Sequence, residues 1–225
     1  MRFTYLMIDV ASFIVPFVFT FHSKLRFDKK WKAFLPILLA VAVLFCAWDA
    51  VFVHLGVWRF NEQYITGIKI YDLPIEEILF FICIPYACVF TYHCFGIFLS
   101  KETHRVKTPW MMWLLSVSLI VGAIIFRDNL YPAVTFAFLA ITLFILARED
   151  FMRTFFFTYL IMLLPFFVVN GILTGIGLDE PVVWYNSNEI TGFRLLTIPI
   201  EDVFYGMLLI LLNVAGMEWL LKKEQ

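Results

Sequence analysis

Long apolar runs separated by short polar clusters make up most of this chain, and each run approaches the length of a membrane crossing. A span needs about 20 mostly apolar residues, and the runs at 3–21, 33–54, 74–99, 109–126, 130–147, 154–175 and 198–220 come near that figure. The pattern predicts seven helices. The turn Arg127-Asp128-Asn129 between the fourth and fifth is tight, and the loops are too brief to hold a soluble domain. Only 55–73 and 176–197 are long enough to fold over a membrane surface. The first run, MRFTYLMIDVASFIVPFVF, has one early arginine and no small-residue cleavage site before His22-Ser23-Lys24. It reads as a retained span, not a signal peptide.

Composition agrees with the pattern. Of 225 residues, 62% are hydrophobic and 16% charged, where soluble domains carry roughly 45–50% and about 25%. Mean hydropathy is +0.87, and the 27 phenylalanines cannot all be hidden in one small core. The net charge of −1, with no basic tail, argues against a nucleic-acid partner. Cys46, Cys83, Cys88 and Cys94 lie in apolar runs without metal-ligand spacing, so neither a disulfide framework nor a metal site is expected. Basic residues are unevenly placed. Lys24, Arg26, Lys29, Lys30, Lys32, Lys101, Arg105, Lys107, Arg148, Arg153, Lys222 and Lys223 fall on one side, against Arg2, Arg59, Lys69, Arg127 and Arg194 on the other. The positive-inside rule then puts the C-terminus in the cytoplasm and both long loops outside.

An internal repeat organises the chain. Residues 65–77 read ITGIKIYDLPIEE and residues 190–202 read ITGFRLLTIPIED, with six of thirteen positions identical at an offset of 125. Asn61 and Asn186 share that offset, beside Trp58 and Phe60 in one copy and Trp184 and Tyr185 in the other. The offset contains four spans, an even number, so both copies face the same side. The fold class expected is an all-α polytopic membrane protein, a 3+1+3 parallel repeat. Residues 1–104 and 129–225 are the three-helix repeats, and 105–128 is the connector.

The repeat also places the chemistry. Pro74 and Pro199 suit the first turn of a helix, which puts Glu76, Glu77, Glu201 and Asp202 at the starts of helices three and seven. Acids at helix N-termini are common, because the dipole favours them. Two copies of an acid pair entering an apolar run ask for more, since ionisable groups at membrane depth are costly and usually face a cavity. Asp9 in helix one and Asp49 in helix two fall within ~10 Å of the same level at 1.5 Å per residue, and His54 is a further candidate there. Crowded carboxyls in an apolar surrounding cannot all be ionised, so a protonated acid is expected beside an ionised one; which acid holds the proton stays open. Such a pair suits acid–base work on a hydrocarbon. Trp48, Trp58, Tyr71, Trp184, Tyr185 and Tyr205 lie near this level, where aromatic faces can stabilise a cation or simply anchor the interface.

At the repeated P-I-E-E and P-I-E-D, with the Asn and Ile-Thr-Gly elements before them, the chain resembles the integral-membrane lycopene cyclases. These occur as two three-span subunits or as one fused chain, and both halves are present here. The resemblance implies protonation of a terminal double bond of an acyclic carotenoid, ring closure through a carbocation, and proton loss to give cyclic end groups, with no net redox; β-type rings are expected, and the sequence leaves the choice between β and ε open. It carries the acid roles to Glu76, Glu77, Glu201 and Asp202, with Asp49 and Asp9 beside them. Trp48, Trp58, Asn61, Tyr71, Trp184, Asn186 and Tyr205 are the expected substrate contacts. It further implies a lipophilic acyclic carotenoid, membrane lipids and other carotenoid-pathway enzymes as partners, in a bacterial cytoplasmic membrane. The flavin-type cyclases differ: no G-x-G-x-x-G follows a strand in this chain, so no FAD or other cofactor is expected. The rival reading is a small transporter of 3+1+3 repeats with proton-coupling acids. A retinal protein would need a lysine in a spanning helix, and 198–220 has none.

Overall fold

The computed structural model describes residues 3–99 and 109–223. Seven helices appear at the expected places: α1 (Thr4–Thr20), α2 (Trp31–His54), α3 (Ile75–Leu99), α4 (Pro109–Ile125), α5 (Leu130–Leu146), α6 (Met152–Leu173) and α7 (Ile200–Lys223). A 3-10 turn at Phe27–Lys30 leads into α2. The fold is an all-α polytopic membrane protein. α2, α3, α6 and α7 are long and apolar enough to cross a bilayer, while α1, α4 and α5 are apolar helices of 17 residues. At 1.5 Å per residue the latter reach ~26 Å, a few ångströms short of a typical hydrocarbon core. Their lipid-facing character is plain: Val15, Leu114 and Phe144 are among many large apolar side chains left exposed. The expected boundary at 104/105, with Lys101, Arg105, Lys107 and Arg2, lies outside the described residues.

The two long connections fold into β-structure that the hydropathy pattern does not reveal. Strand β1 (Trp58–Phe60) pairs antiparallel with β4 (Val183–Tyr185), and Arg59 faces Trp184 at the centre. Those two positions are 125 apart, so the ribbon is symmetric about the repeat itself. Its ends are closed reciprocally: the Asn61 N–H donates to the Val182 carbonyl (2.8 Å) and the Asn186 N–H to the Val57 carbonyl (2.8 Å). Each connection then makes a hairpin, β2 (Lys69–Ile70) with β3 (Leu73–Pro74), and β5 (Arg194–Leu195) with β6 (Ile198–Pro199). Pro74 and Pro199 therefore end a hairpin strand and stand one residue before the helix, not inside its first turn.

Helix packing repeats in the same way. α1 packs on α3 as α5 packs on α7; α2 packs on α7 and α6 on α3; α3 and α7 meet near the middle. α4 packs on α5. One apolar core runs through the helices, including Phe34, Phe45, Phe81, Leu139, Leu208 and Leu211. A second cluster under the ribbon includes Tyr5, Trp58, Ile65, Tyr131 and Ile190.

Candidate active site

The two acids of each repeated pair have different tasks, and the loop before the helix explains why. In the first copy the Thr66 N–H donates to Glu76 Oε1 (2.6 Å), and the Ile75 N–H donates to the Ile68 carbonyl (2.9 Å). In the second the Thr191 N–H donates to Glu201 Oε1, and the Ile200 N–H to the Phe193 carbonyl (3.0 Å). Gly67 and Gly192 turn the chain between these bonds at φ 89° and 81°, a region glycine enters without steric cost. The motif Ile-Thr-Gly…Pro-Ile-Glu thus encodes a loop folded back onto the first acid of its own helix. Glu76 and Glu201 are both fully buried, and the second oxygen of each has no hydrogen-bond partner.

The next residue in each helix, Glu77 or Asp202, points into a cleft of about 330 Å³. The cleft begins beneath the β1–β4 ribbon, where Asp49, Glu77 and Asp202 line it with Trp58 and Tyr205. Tyr5 donates its hydroxyl to Glu77 Oε2 (2.5 Å), and Tyr205 donates to Asp49 Oδ1 (2.6 Å). The Asp49 and Glu77 carboxyls are within hydrogen-bonding reach of each other. A bond between two carboxyls contains one proton, because an ionised carboxylate can only accept. Asp202 receives two phenols, Tyr131 at Oδ1 (2.7 Å) and Tyr185 at Oδ2 (2.9 Å). Burial, with the Asp202 charge beside it, pushes the Tyr185 phenol well above its usual range, so it remains a donor. Around these groups the rings of Trp58, Tyr131, Tyr185 and Tyr205 lie 5.0–6.2 Å apart, mostly edge to face.

Several expected contacts are absent from the cleft. Period-two alternation along the ribbon sends Trp58, Phe60, Val183 and Tyr185 to the cleft and Arg59 and Trp184 to the opposite face. There the Arg59 guanidinium sits over the Trp184 ring at 5.0 Å. Asn61 and Asn186 lock the ribbon ends: each side-chain oxygen accepts an N–H two residues on, and their amides donate to Pro181 (3.2 Å) and Gly56 (3.2 Å) carbonyls. Tyr71 is at the tip of the β2–β3 hairpin, 90% exposed and with φ 48°. His54, the last residue of α2, is also exposed. Trp48 packs behind Tyr205 and does not line the cleft. Glu76 and Glu201 do not line it either, because the loops hold them. Asp9 lies behind Glu77 on α1, wholly buried, with neither carboxyl oxygen hydrogen-bonded.

Sequence reasoning missed Tyr5 and Tyr131, the phenols that hold Glu77 and Asp202. They are 126 apart, one residue out of step with the motif repeat, which hides their equivalence. Phe60, Phe80 and Asn170 also line the cleft.

The chain is thus a polytopic helical bundle with three buried carboxyls at the ribbon end of an apolar cleft. The lycopene cyclase family profile matches residues 2–95 and 128–220, both halves of the bundle, and the chain belongs to that family. A bifunctional lycopene cyclase/phytoene synthase of Aspergillus niger is 35% identical over 93 residues, covering 38% of this chain and 16% of the fungal protein. No solved structure matches the chain.

Proposed function

We propose that this protein is a carotenoid cyclase that converts acyclic lycopene-type ends to β-type rings by acid–base chemistry without redox change. A proton is added to the terminal double bond. The resulting tertiary cation is attacked by a nearby double bond of the same chain, closing the six-membered ring. A proton is then lost from a neighbouring carbon, so the proton entering balances the proton leaving. The observation that carries this reading is the unlike hydrogen bonding of the three cleft acids. Asp49 and Glu77 share a proton within reach of the cleft, which suits the donor; Asp202, with two phenols donating to it, suits the acceptor. Trp58, Tyr185 and Tyr205 offer ring faces to the cation between them. Asp9 stands behind Glu77 as a further buried acid. The first three-helix repeat, 1–104, supplies Asp49 and Glu77, the second, 129–225, supplies Asp202, and 105–128 links them. The basic-residue bias supports an orientation with the ribbon outside and the C-terminus inside; the reading further takes the membrane to be a bacterial cytoplasmic one, with lipid and other carotenoid-pathway enzymes as partners.

The test is expression in a host that accumulates an acyclic carotenoid, followed by chromatography of the pigments. Ring-bearing products are expected. Unchanged acyclic pigment, in cells where the protein is inserted in the membrane, would overturn the reading.

A further inference from the structure

The cleft is much longer than the acid site needs. On α3 it is lined by Glu77, Phe80, Ile84, Ala87, Cys88 and Thr91, positions that share one helix face. From Glu77 to Thr91 that face runs ~21 Å at 1.5 Å per residue. A volume of about 330 Å³ drawn out over this length has the width of one hydrocarbon chain. All three lining carboxyls are at the ribbon end; the rest is apolar apart from hydroxyls such as Ser12 and Thr91 and the Asn170 amide.

The walls are α1 and α6, standing on either side of α3. Each wall carries a proline where it borders the cleft, Pro16 in α1 and Pro165 in α6. A proline removes one helical hydrogen bond and crowds the preceding turn, which favours a bend of the helix at that point. The repeat generates a second such place, between α5 and α2 over α7, and there the sequence closes it. Seven residues beyond Tyr5 is Ser12; seven beyond Tyr131 is Phe138. The Phe138 ring, 55% exposed on its outer side, covers Trp48 at 5.5 Å, and Trp48 fills the space beneath it among Phe45, Phe52 and Tyr205. Pro16 has Thr142 as its counterpart, so α5 keeps the backbone bond that α1 lacks.

Building on the cyclase reading, we infer that substrate occupies a single slot per chain, between α1 and α6. The acyclic end lies against the acids, and the polyene runs down α3 toward Thr91, roughly along the membrane normal. The two-fold related place holds aromatic side chains instead of substrate. One end group is therefore processed at a time, and a molecule with two acyclic ends must leave the slot and return reversed.

Binding and turnover, measured separately, test this. The probe is an acyclic C40 carotenoid, read as polyene absorbance retained on the detergent-purified protein and as ring formation in membranes. Ser12→Phe copies the plug of the other half and should lower both by about tenfold or more, as overpacking of a fitted space does. Val10→Phe adds the same ring to α1 at a 53% exposed, lipid-facing position and should leave both unchanged. Thr91→Phe blocks the far end; it should shift preference at least about tenfold toward a chain-shortened polyene with the same acyclic end. Retention of that short polyene shows that the variant is folded. Wild-type binding of the C40 chain by both Ser12→Phe and Thr91→Phe would overturn the slot, as would an equal loss in Val10→Phe. A wild-type chain that binds but forms no ring would sink the cyclase reading, while the slot would stand on the binding comparison alone.

Discussion

The two halves of this bundle share a backbone plan and differ in what surrounds the inward-facing acid. In the first half Glu77 lies among carboxyls: Asp49 within bonding reach, Asp9 behind it, and one phenol, Tyr5. In the second half Asp202 is held by two phenols, Tyr131 and Tyr185. The substitutions behind this are few. Tyr185 has Phe60 as its counterpart 125 residues earlier, and Tyr205 has Phe80, so the phenols on one side become plain rings on the other. Glu77 and Asp202 line one cleft at corresponding places of the repeat; divergence of their neighbours surrounds one with carboxyls and the other with a pair of phenol donors.

The comparison is most easily broken at the acids themselves. Glu77→Gln should reduce ring formation by roughly 10²–10⁴-fold, the usual weight of one general acid or base. Asp202→Asn should fall by less and also change the product, because the cation survives until another base or water ends it. Chromatography that separates ring isomers and hydrated products checks this; identical losses with unchanged products would erase the proposed division of roles.

Next come the phenols. Tyr205→Phe removes the only hydroxyl bonded to Asp49 among those described and should cost about tenfold in turnover, from one hydrogen bond of about 1.5 kcal/mol to a charged or proton-sharing group. Tyr185→Phe should cost less, since Tyr131 still holds Asp202. The double variant Tyr131→Phe/Tyr185→Phe should then exceed the sum of the two single effects, and a rate assay on the three proteins decides it.

The first acid of each pair sharpens the contrast from the other direction. Glu76→Gln and Glu201→Gln keep an oxygen for the Thr66 and Thr191 N–H groups, so activity should fall only a few-fold. Glu76→Leu leaves the Thr66 N–H without its partner and should destabilise the folded protein by about 1–3 kcal/mol, read as a lower melting temperature in detergent. If Glu76→Gln matched Glu77→Gln in severity, the loop role assigned to Glu76 would be wrong. The smallest effect belongs to Tyr71→Ala, at the exposed hairpin tip, which should leave turnover unaltered.

Much of this protein was legible in one dimension. Seven apolar runs near membrane length became seven helices with no bound shifted by more than about three residues, because hydrophobic length is a local property that lipid enforces without reference to the rest of the fold. The repeat at offset 125 located both acid pairs, because each pair sits in a loop whose geometry is written in adjacent residues: a threonine N–H, a glycine turn and a proline before the helix. Which acid of a pair faces the cleft was not legible. Glu76 and Glu77 are alike in chemistry and differ by 100° around a helix, and only the position of the neighbouring helices turns one toward the loop and the other inward.

The same limit applied to the ribbon. Trp58 and Trp184 look equivalent on the page, yet the antiparallel register about Arg59 and Trp184 places one over the cleft and the other on the outer face. Composition, spans, repeat and acid motifs were thus determined by the chain alone, since each depends on residues close in sequence. The neighbouring carboxyls, the four phenols and the one-sided slot were decided by tertiary structure, because they join residues 17 to 156 positions apart and depend on directions that a sequence does not contain.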